Sequence, residues 1–155
     1  MSIRKANIND VNGINALLYQ VQDVHANGRP DIFIKGTKKF KDEELIEILN
    51  GNDLIFYVYE ANKKILGYIC IKIIIESESF SKYARKELYI EDLCVDENYR
   101  HQGIAKELYD YIIELAQKEG CSHITLNVWE LNKNAKEFYK KMGMNPLKTI
   151  MEFKL

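Results

Sequence analysis

Cysteine is scarce in this 155-residue chain and proline scarcer, with three of the first and two of the second. The cysteines, Cys70, Cys94 and Cys121, are odd in number and scattered, so no disulfide framework is implied and a reduced, cytoplasmic setting is expected. Cys121 and His123 lack the second pair that a structural zinc site requires, so no metal is expected. An excess of charge of one sign is missing too. Twenty-two basic residues face 23 acidic ones, a formal net charge of −1, which gives no overall attraction to nucleic acid or to an anionic membrane. The longest apolar run, ILGYICIKIII, carries a lysine and falls well short of the roughly 20 residues of a membrane span. The first ten residues, MSIRKANIND, lack the apolar segment of a signal peptide. What remains is 46% hydrophobic and 29% charged, the balance of a soluble globular protein, and its length suits one domain over residues 1–155.

Periodicity orders the elements. SIRKA reads as a short strand, and Asn7 with Asp10 three residues on resembles a helix-capping arrangement for a helix from Ile8 to His25. NGRPD breaks that helix, and a loop runs to about Phe40. Asp42 then caps a second helix with Leu45, Ile46, Ile48 and Leu49 on its apolar face. LIFYVYE and ILGYICIKIII form strands joined at ANKK, a length suited to a hairpin, and KELYIEDLCV is a third long strand after the polar loop ESESFSKYA. A helix from Gly103 to Glu119, a strand HITLNVW, a helix from about Lys133 to Met142 and a last strand near KTIMEFKL complete a mixed α/β order. The strands either side of the Gly103 helix should be parallel neighbours, because a crossover helix joins parallel strands.

Two constellations bear on chemistry. In VDENYRHQGIAKEL a strand ends, a glycine follows, and a helix begins at once. The first turn of a helix leaves about four N–H groups unpaired and carries roughly half a positive charge, so an anion suits it. Gly103 removes the side chain that would hold a phosphate off, Ala105 keeps the next turn small, and Arg100 and Lys106 offer charge-assisted contacts. The G-K-[ST] of a P-loop is absent, which leaves nucleotide hydrolysis without support. In LNKNAKEFYKKMG, Asn132, Ala135 and Tyr139 share one helix face, although Asn132 also suits a helix cap and Tyr139 the core beside Phe138 and Met142. On the strand YIEDLCV, alternation puts Glu91 with Tyr89, Leu93 and Val95, and Asp92 with Cys94. Adjacent acids in a strong strand call for a partner or a use, since a buried carboxylate is costly.

Together, LYIEDLCVDENYRHQGIAKEL and LNVWELNKNAKEFYKKMGM resemble the two signature segments of the GNAT superfamily of acyl-CoA-dependent N-acetyltransferases. The first matches the R/Q-x-x-G-x-G/A loop at Arg100, Gly103 and Ala105, with Ala where a second Gly is commoner. The second matches N-x-x-A-x-x-(aromatic)-Tyr at Asn132, Ala135, Phe138 and Tyr139. The resemblance spans nearly the whole chain and implies one N-acetyltransferase domain: a twisted mixed sheet of roughly six to seven strands flanked by about four helices.

It also implies roles. The backbone from His101 through Gln102, Gly103, Ile104 and Ala105 to Lys106, with the Arg100 and Gln102 side chains beside it, would hold the pyrophosphate of acetyl-CoA. Main-chain groups of Leu93, Cys94 and Val95 would pair with the pantetheine arm, and the Val95 N–H would meet the thioester oxygen. Asn132 and Ala135 would line the same arm. Tyr139 would protonate the departing thiolate, and Glu91, directly or through water, would deprotonate the amine. The local match of YIEDLCV and of Phe138, Tyr139 and Lys140 is to the spermidine/spermine N-acetyltransferases, so a polyamine-like or other primary amine is the expected acceptor. A protein or peptide amino group is the alternative, and a non-catalytic acyl-CoA sensor the rival of another class. An acceptor wall is expected from the first two helices and the loops, with His25, Asp31, Phe33, Glu76 and Glu78 as candidates and Asn127 beside them. Direct transfer is preferred to a Cys94 acyl-enzyme assisted by His101, because a cysteine inside a strand is usually buried and inert. The resemblance is compatible with a homodimer, in which the terminal strand could pair across the interface.

Overall fold

A computed structural model describes residues 1–155. The chain runs through β1 (Ser2–Lys5), α1 (Val11–Gly28), α2 (Asp42–Asn50), β2 (Ile55–Ala61), β3 (Lys64–Glu76), β4 (Arg85–Val95), α3 (Ile104–Lys118), β5 (His123–Leu126) and α4 (Lys133–Lys141). A 3-10 turn at Ile8–Asp10 leads into α1, and the expected cap is present there. The Asn7 side chain accepts from the Asn9 amide, and the Asp10 carboxylate accepts from the Asn7 amide at 2.8 Å. Arg4 also donates to both Asp10 oxygens at 2.8 and 2.9 Å, so this buried carboxylate is paired and hydrogen-bonded.

The five strands form one sheet in sequence order. β1, β2, β3 and β4 are antiparallel neighbours, and β5 is parallel to β4, as its crossover through α3 requires. Asn62 and Lys63 close the β2–β3 hairpin, both with positive φ, the pattern of a turn that matches the twist of its strands. One face of the sheet buries Phe56, Val58, Tyr68, Cys70 and Cys94 against Ile14, Leu17 and Leu18 of α1 and Leu45 of α2. The other buries Leu66, Ile69, Ile71, Leu88 and Ile90 against Ile104, Leu108 and Ile112 of α3, with Phe138 and Tyr139 of α4 packed alongside.

Three expectations change. The sheet has five strands rather than six to seven. The strand expected over HITLNVW stops at Leu126, and Asn127 to Trp129 leave the ladder. No strand forms near KTIMEFKL: residues 145–155 make no main-chain hydrogen bond within the chain, and Leu147, Ile150, Met151, Phe153 and Leu155 lie exposed. The segment docks on no edge of the sheet, so its main chain forms no ladder and its apolar side chains stay exposed.

Gly67 sets how closely α3 approaches. A Cβ there would stand 2.9 Å from the Cys94 carbonyl oxygen and 3.3 Å from side-chain atoms of Ile104 and Leu108. The first turn of α3 therefore rests directly on the β3–β4 ladder. Gly67→Ala should lower stability by about 1–3 kcal/mol through overpacking, read from urea unfolding monitored by circular dichroism.

Candidate active site

The register of β4 creates the site. Cys70 pairs with Asp92 and Ile71 with Ile90, which leaves Glu91 as an extra, unpaired residue in a β-bulge. β5 follows β4 only as far as the pair Ile90–Leu126, so β4 beyond the bulge keeps β3 on one edge and no strand on the other. The Asp96 amide donates to the Leu66 carbonyl at 2.8 Å, which makes that a hydrogen-bonded pair. Antiparallel pairs alternate, so the N–H and C=O of Leu93 and Val95 point away from β3 toward the open edge. There the Val95 carbonyl accepts from Arg100 Nε at 3.3 Å. Arg100 thus braces the turn after the strand.

That edge leads straight into α3. The main-chain N–H groups of His101, Gln102, Gly103, Ile104, Ala105 and Lys106 donate no hydrogen bond within the protein. His101 and Gly103 adopt left-handed conformations, φ 61° and 85°, and turn the chain so that these amides converge on the helix start. Gly103 combines that conformation with open space, since a Cβ would meet nothing within 4 Å. The result is a row of oriented donors at the positive end of a helix, a fit for a diphosphate. The Lys106 side chain is turned instead to Asp110, at 2.5 Å.

The bulge also rearranges the acids. Leu88 and Ile90 before it, and Leu93 and Val95 after it, all pack toward α3, because the extra residue resets the alternation. Glu91 therefore does not share the face of Leu93 and Val95, as simple alternation predicts. It turns with Tyr89 and Asp92 toward the α1–α2 connection, where it accepts from Lys39 Nζ at 2.6 Å. Asp92 accepts a hydrogen bond from the buried Tyr68 hydroxyl at 2.5 Å. Burial raises the Asp92 pKa above the ordinary carboxylate value, opposed by Tyr68, Lys39, His25 and the Leu93 amide. Burial, then the Asp92 charge, also holds the Tyr139 hydroxyl well above the usual tyrosine range. A carboxylate with raised proton affinity thus acts electrostatically on a phenol that stays protonated at neutral pH.

Above these groups stands an aromatic wall. His25 and Phe33 have ring centroids 4.8 Å apart, and Phe33 meets Trp129 edge-on at 5.0 Å. Burial lowers the His25 pKa, with Asp92 opposing and Lys39 reinforcing the shift, so the imidazole is neutral at pH 7. Asn127 lies beside Tyr89 at the end of β5. Asn132 caps α4 by accepting from the Ala135 amide at 3.2 Å, so the capping role open in the sequence is realised.

Other expected residues lie apart. Asp31 is exposed and held by Arg29 at 2.8 Å, which draws its pKa down to about 2. Glu76 and Glu78 are exposed at the end of β3 opposite to Gly67 and Val95. Cys94 is buried, with its thiol against the Leu17 carbonyl, and burial raises its pKa, so it is inert. Sequence reasoning missed Lys39, Tyr68 and Trp129. Lys39 falls in an aperiodic loop and Tyr68 in an unbroken apolar run, whereas the lone tryptophan just past a strand was an available cue.

Residues 22–144 match the family model described as Acetyltransferase (GNAT) family. A thialysine N-epsilon-acetyltransferase of Bos taurus is 36% identical over 69 residues, which are 44% of this chain and 41% of that protein. The similarity thus spans about two-fifths of that relative's length. N-alpha-acetyltransferase 30 of Saccharomyces cerevisiae is 30% identical over 127 residues, 76% of this chain and 72% of that one. Among solved structures, a tetramutant of the BH1408 protein of Bacillus halodurans has a TM-score of 0.95 at 31% identity and covers 100% of both chains. The family match takes in the open edge of β4, the row of free amides and the tyrosine of α4 alike, and the chain belongs to the acetyltransferase (GNAT) family.

Proposed function

We propose that the chain is an acetyl-CoA-dependent N-acetyltransferase, a single domain over residues 1–155, that transfers an acetyl group directly to a primary amine of a small molecule. One observation carries the reading: the unpartnered edge of β4 at Leu93 and Val95 runs into the six free amides from His101 to Lys106. A main-chain lane that ends in a diphosphate cradle suits a pantetheine arm and its pyrophosphate. Acetyl-CoA, once bound, supplies an activated thioester.

The residues at the other end suit the remaining chemistry. A primary amine with a pKa near 10 is only about one part in a thousand neutral at pH 7, so a base is required. Two features support Asp92 beside Glu91 in that role: its raised proton affinity and its freedom from the Lys39 ion pair that engages Glu91. Tyr139 then donates its proton to the departing thiolate, and the Val95 amide offers a hydrogen bond to the developing oxyanion. For the acceptor, two carboxylates beneath the wall of His25, Phe33 and Trp129 favour a cationic amine with an apolar stem. The similarity to a yeast N-alpha-acetyltransferase supports a peptide amino group as the second reading.

A cytoplasmic setting agrees with three free cysteines, and no helix is long and apolar enough to cross a membrane. A homodimer agrees with the exposed apolar tail at residues 145–155 and the free edge of β5. Deletion of residues 147–155 should convert a dimer to a monomer in light scattering, and a wild-type monomer would remove the proposal.

Tyr139→Phe should lower kcat by about 10²-fold or more while acetyl-CoA affinity, measured by calorimetry, changes little. Absence of thiol release with a broad panel of amines and peptides would end the enzyme reading. The same panel separates the two acceptor classes. Asp92 carries a raised pKa, so kcat/KM should rise with pH through a value above the ordinary carboxylate range of about 4. Asp92→Asn should abolish that limb, whereas Glu91→Gln should chiefly raise the KM of a cationic acceptor. A limb retained in Asp92→Asn would return the base role to Glu91.

A further inference from the structure

The chain's own lysine occupies the acceptor end of the site. Lys39 Nζ lies 2.6 Å from Glu91 Oε1. Its neighbours deliver it there. Lys38 bonds Asn15 Oδ1 at 2.7 Å and pairs with Asp42, and the Phe40 ring packs on Phe56 with centroids 6.4 Å apart. Between these anchors Lys39 reaches over β4, where its charge acts on His25 of α1, Cys70 of β3, and Tyr89 and Asp92 of β4. The pair is partly open to solvent, 41% exposed at Lys39 and 25% at Glu91. Such a pair is weak, about 0.2–1 kcal/mol, and readily exchanged. A lysine side chain is itself a primary alkylamine, the acceptor class proposed above.

We propose that Lys39 is an acetyl acceptor of its own active site, a cis modification site beside Glu91 and Asp92. The inference rests on the acetyltransferase reading. The Lys39 ammonium gives one proton to the carboxylate pair. Its nitrogen forms a bond to the acetyl carbon as the carbon–sulfur bond of acetyl-CoA breaks. The second amine proton follows through that pair. The thiolate leaves as the thiol with the proton of Tyr139, one of the two amine protons restores the Tyr139 hydroxyl, and the other is released to solvent. The product carries no charge and cannot hold Glu91, so modification opens the carboxylates to a free amine.

The test incubates the whole protein with isotope-labelled acetyl-CoA and no added amine, then maps the label by peptide mass spectrometry. Lys39 should be labelled at least about tenfold faster than the exposed Lys35 and Lys41, ahead of any indiscriminate chemical acetylation. The rate constant should not depend on protein concentration, 1,4-diaminobutane should slow it, and Tyr139→Phe should lose it. Labelling of Lys39 no faster than its neighbours, in protein that acetylates an added amine or peptide, overturns the inference and leaves the function standing. Transfer to neither overturns both. Without acetyl-CoA, Lys39→Gln should bind 1,4-diaminobutane about two- to fivefold tighter at low salt in calorimetry, the equivalent of one exposed ion pair. Unchanged affinity would take Lys39 out of the acceptor position.

Discussion

The one extra residue in β4 governs the rest of the site. Up to Ile90 the strand is an ordinary interior strand with partners on both edges; past Glu91 it has β3 alone. A bulge increases local twist and bends the strand that carries it, and here the bend coincides with the parting of β4 from β5. Main-chain groups that a longer β5 would satisfy are left for another extended chain. Because the same residue resets the side-chain alternation, Glu91 and Asp92 turn together toward α1 and its loop while Leu93 and Val95 stay in the core. One insertion thus supplies both the lane and the acids at its end.

These features cost stability. A left-handed histidine and a carboxylate held away from water each oppose folding by about 1–3 kcal/mol. Tyr68 offsets part of the cost at Asp92, and the two layers against the sheet supply the remainder. The fully buried side chains lie mostly along β3, β4 and the inner faces of α1 and α3, the elements that aim Asp92 and the cradle. A rigid frame around a strained centre holds polar groups in readiness for a ligand rather than for one another.

Periodicity was a good guide wherever an element packs on a neighbour of the same chain. The amphipathic stripe of α3, the β2–β3 hairpin and the parallel crossover follow from spacing and turn chemistry, as does the Asn7–Asp10 cap. It failed where the outcome depends on a partner that spacing does not reveal. NVW continues a strand-like pattern past Leu126, but no neighbouring strand remains beside it. KTIMEFKL has the composition of a strand but joins no edge of the sheet. The parity of Glu91 was misjudged for a related reason: a bulge is a mismatch between two strands, invisible in either alone.

The two halves of the candidate site differ in kind, and this accounts for what each discloses. The lane and cradle are made of main chain, so their sequence requirement reduces to a few positions where side chains must be absent or small, Gly103 and Ala105 among them. Such a requirement leaves a short spaced motif that is easily read. The proposed acceptor wall is made of side chains from α1, its following loop, β4 and the segment after β5: His25, Phe33, Lys39, Asp92 and Trp129. Nothing in local spacing ties these together, and only the fold brings the rings of His25, Phe33 and Trp129 to centroid separations of 4.8 to 6.4 Å. On the proposed function, chemistry common to the family is carried by backbone geometry and choice of amine by side chains delivered from distant segments, with the Lys39 loop placed to exchange its own ammonium for that of a substrate.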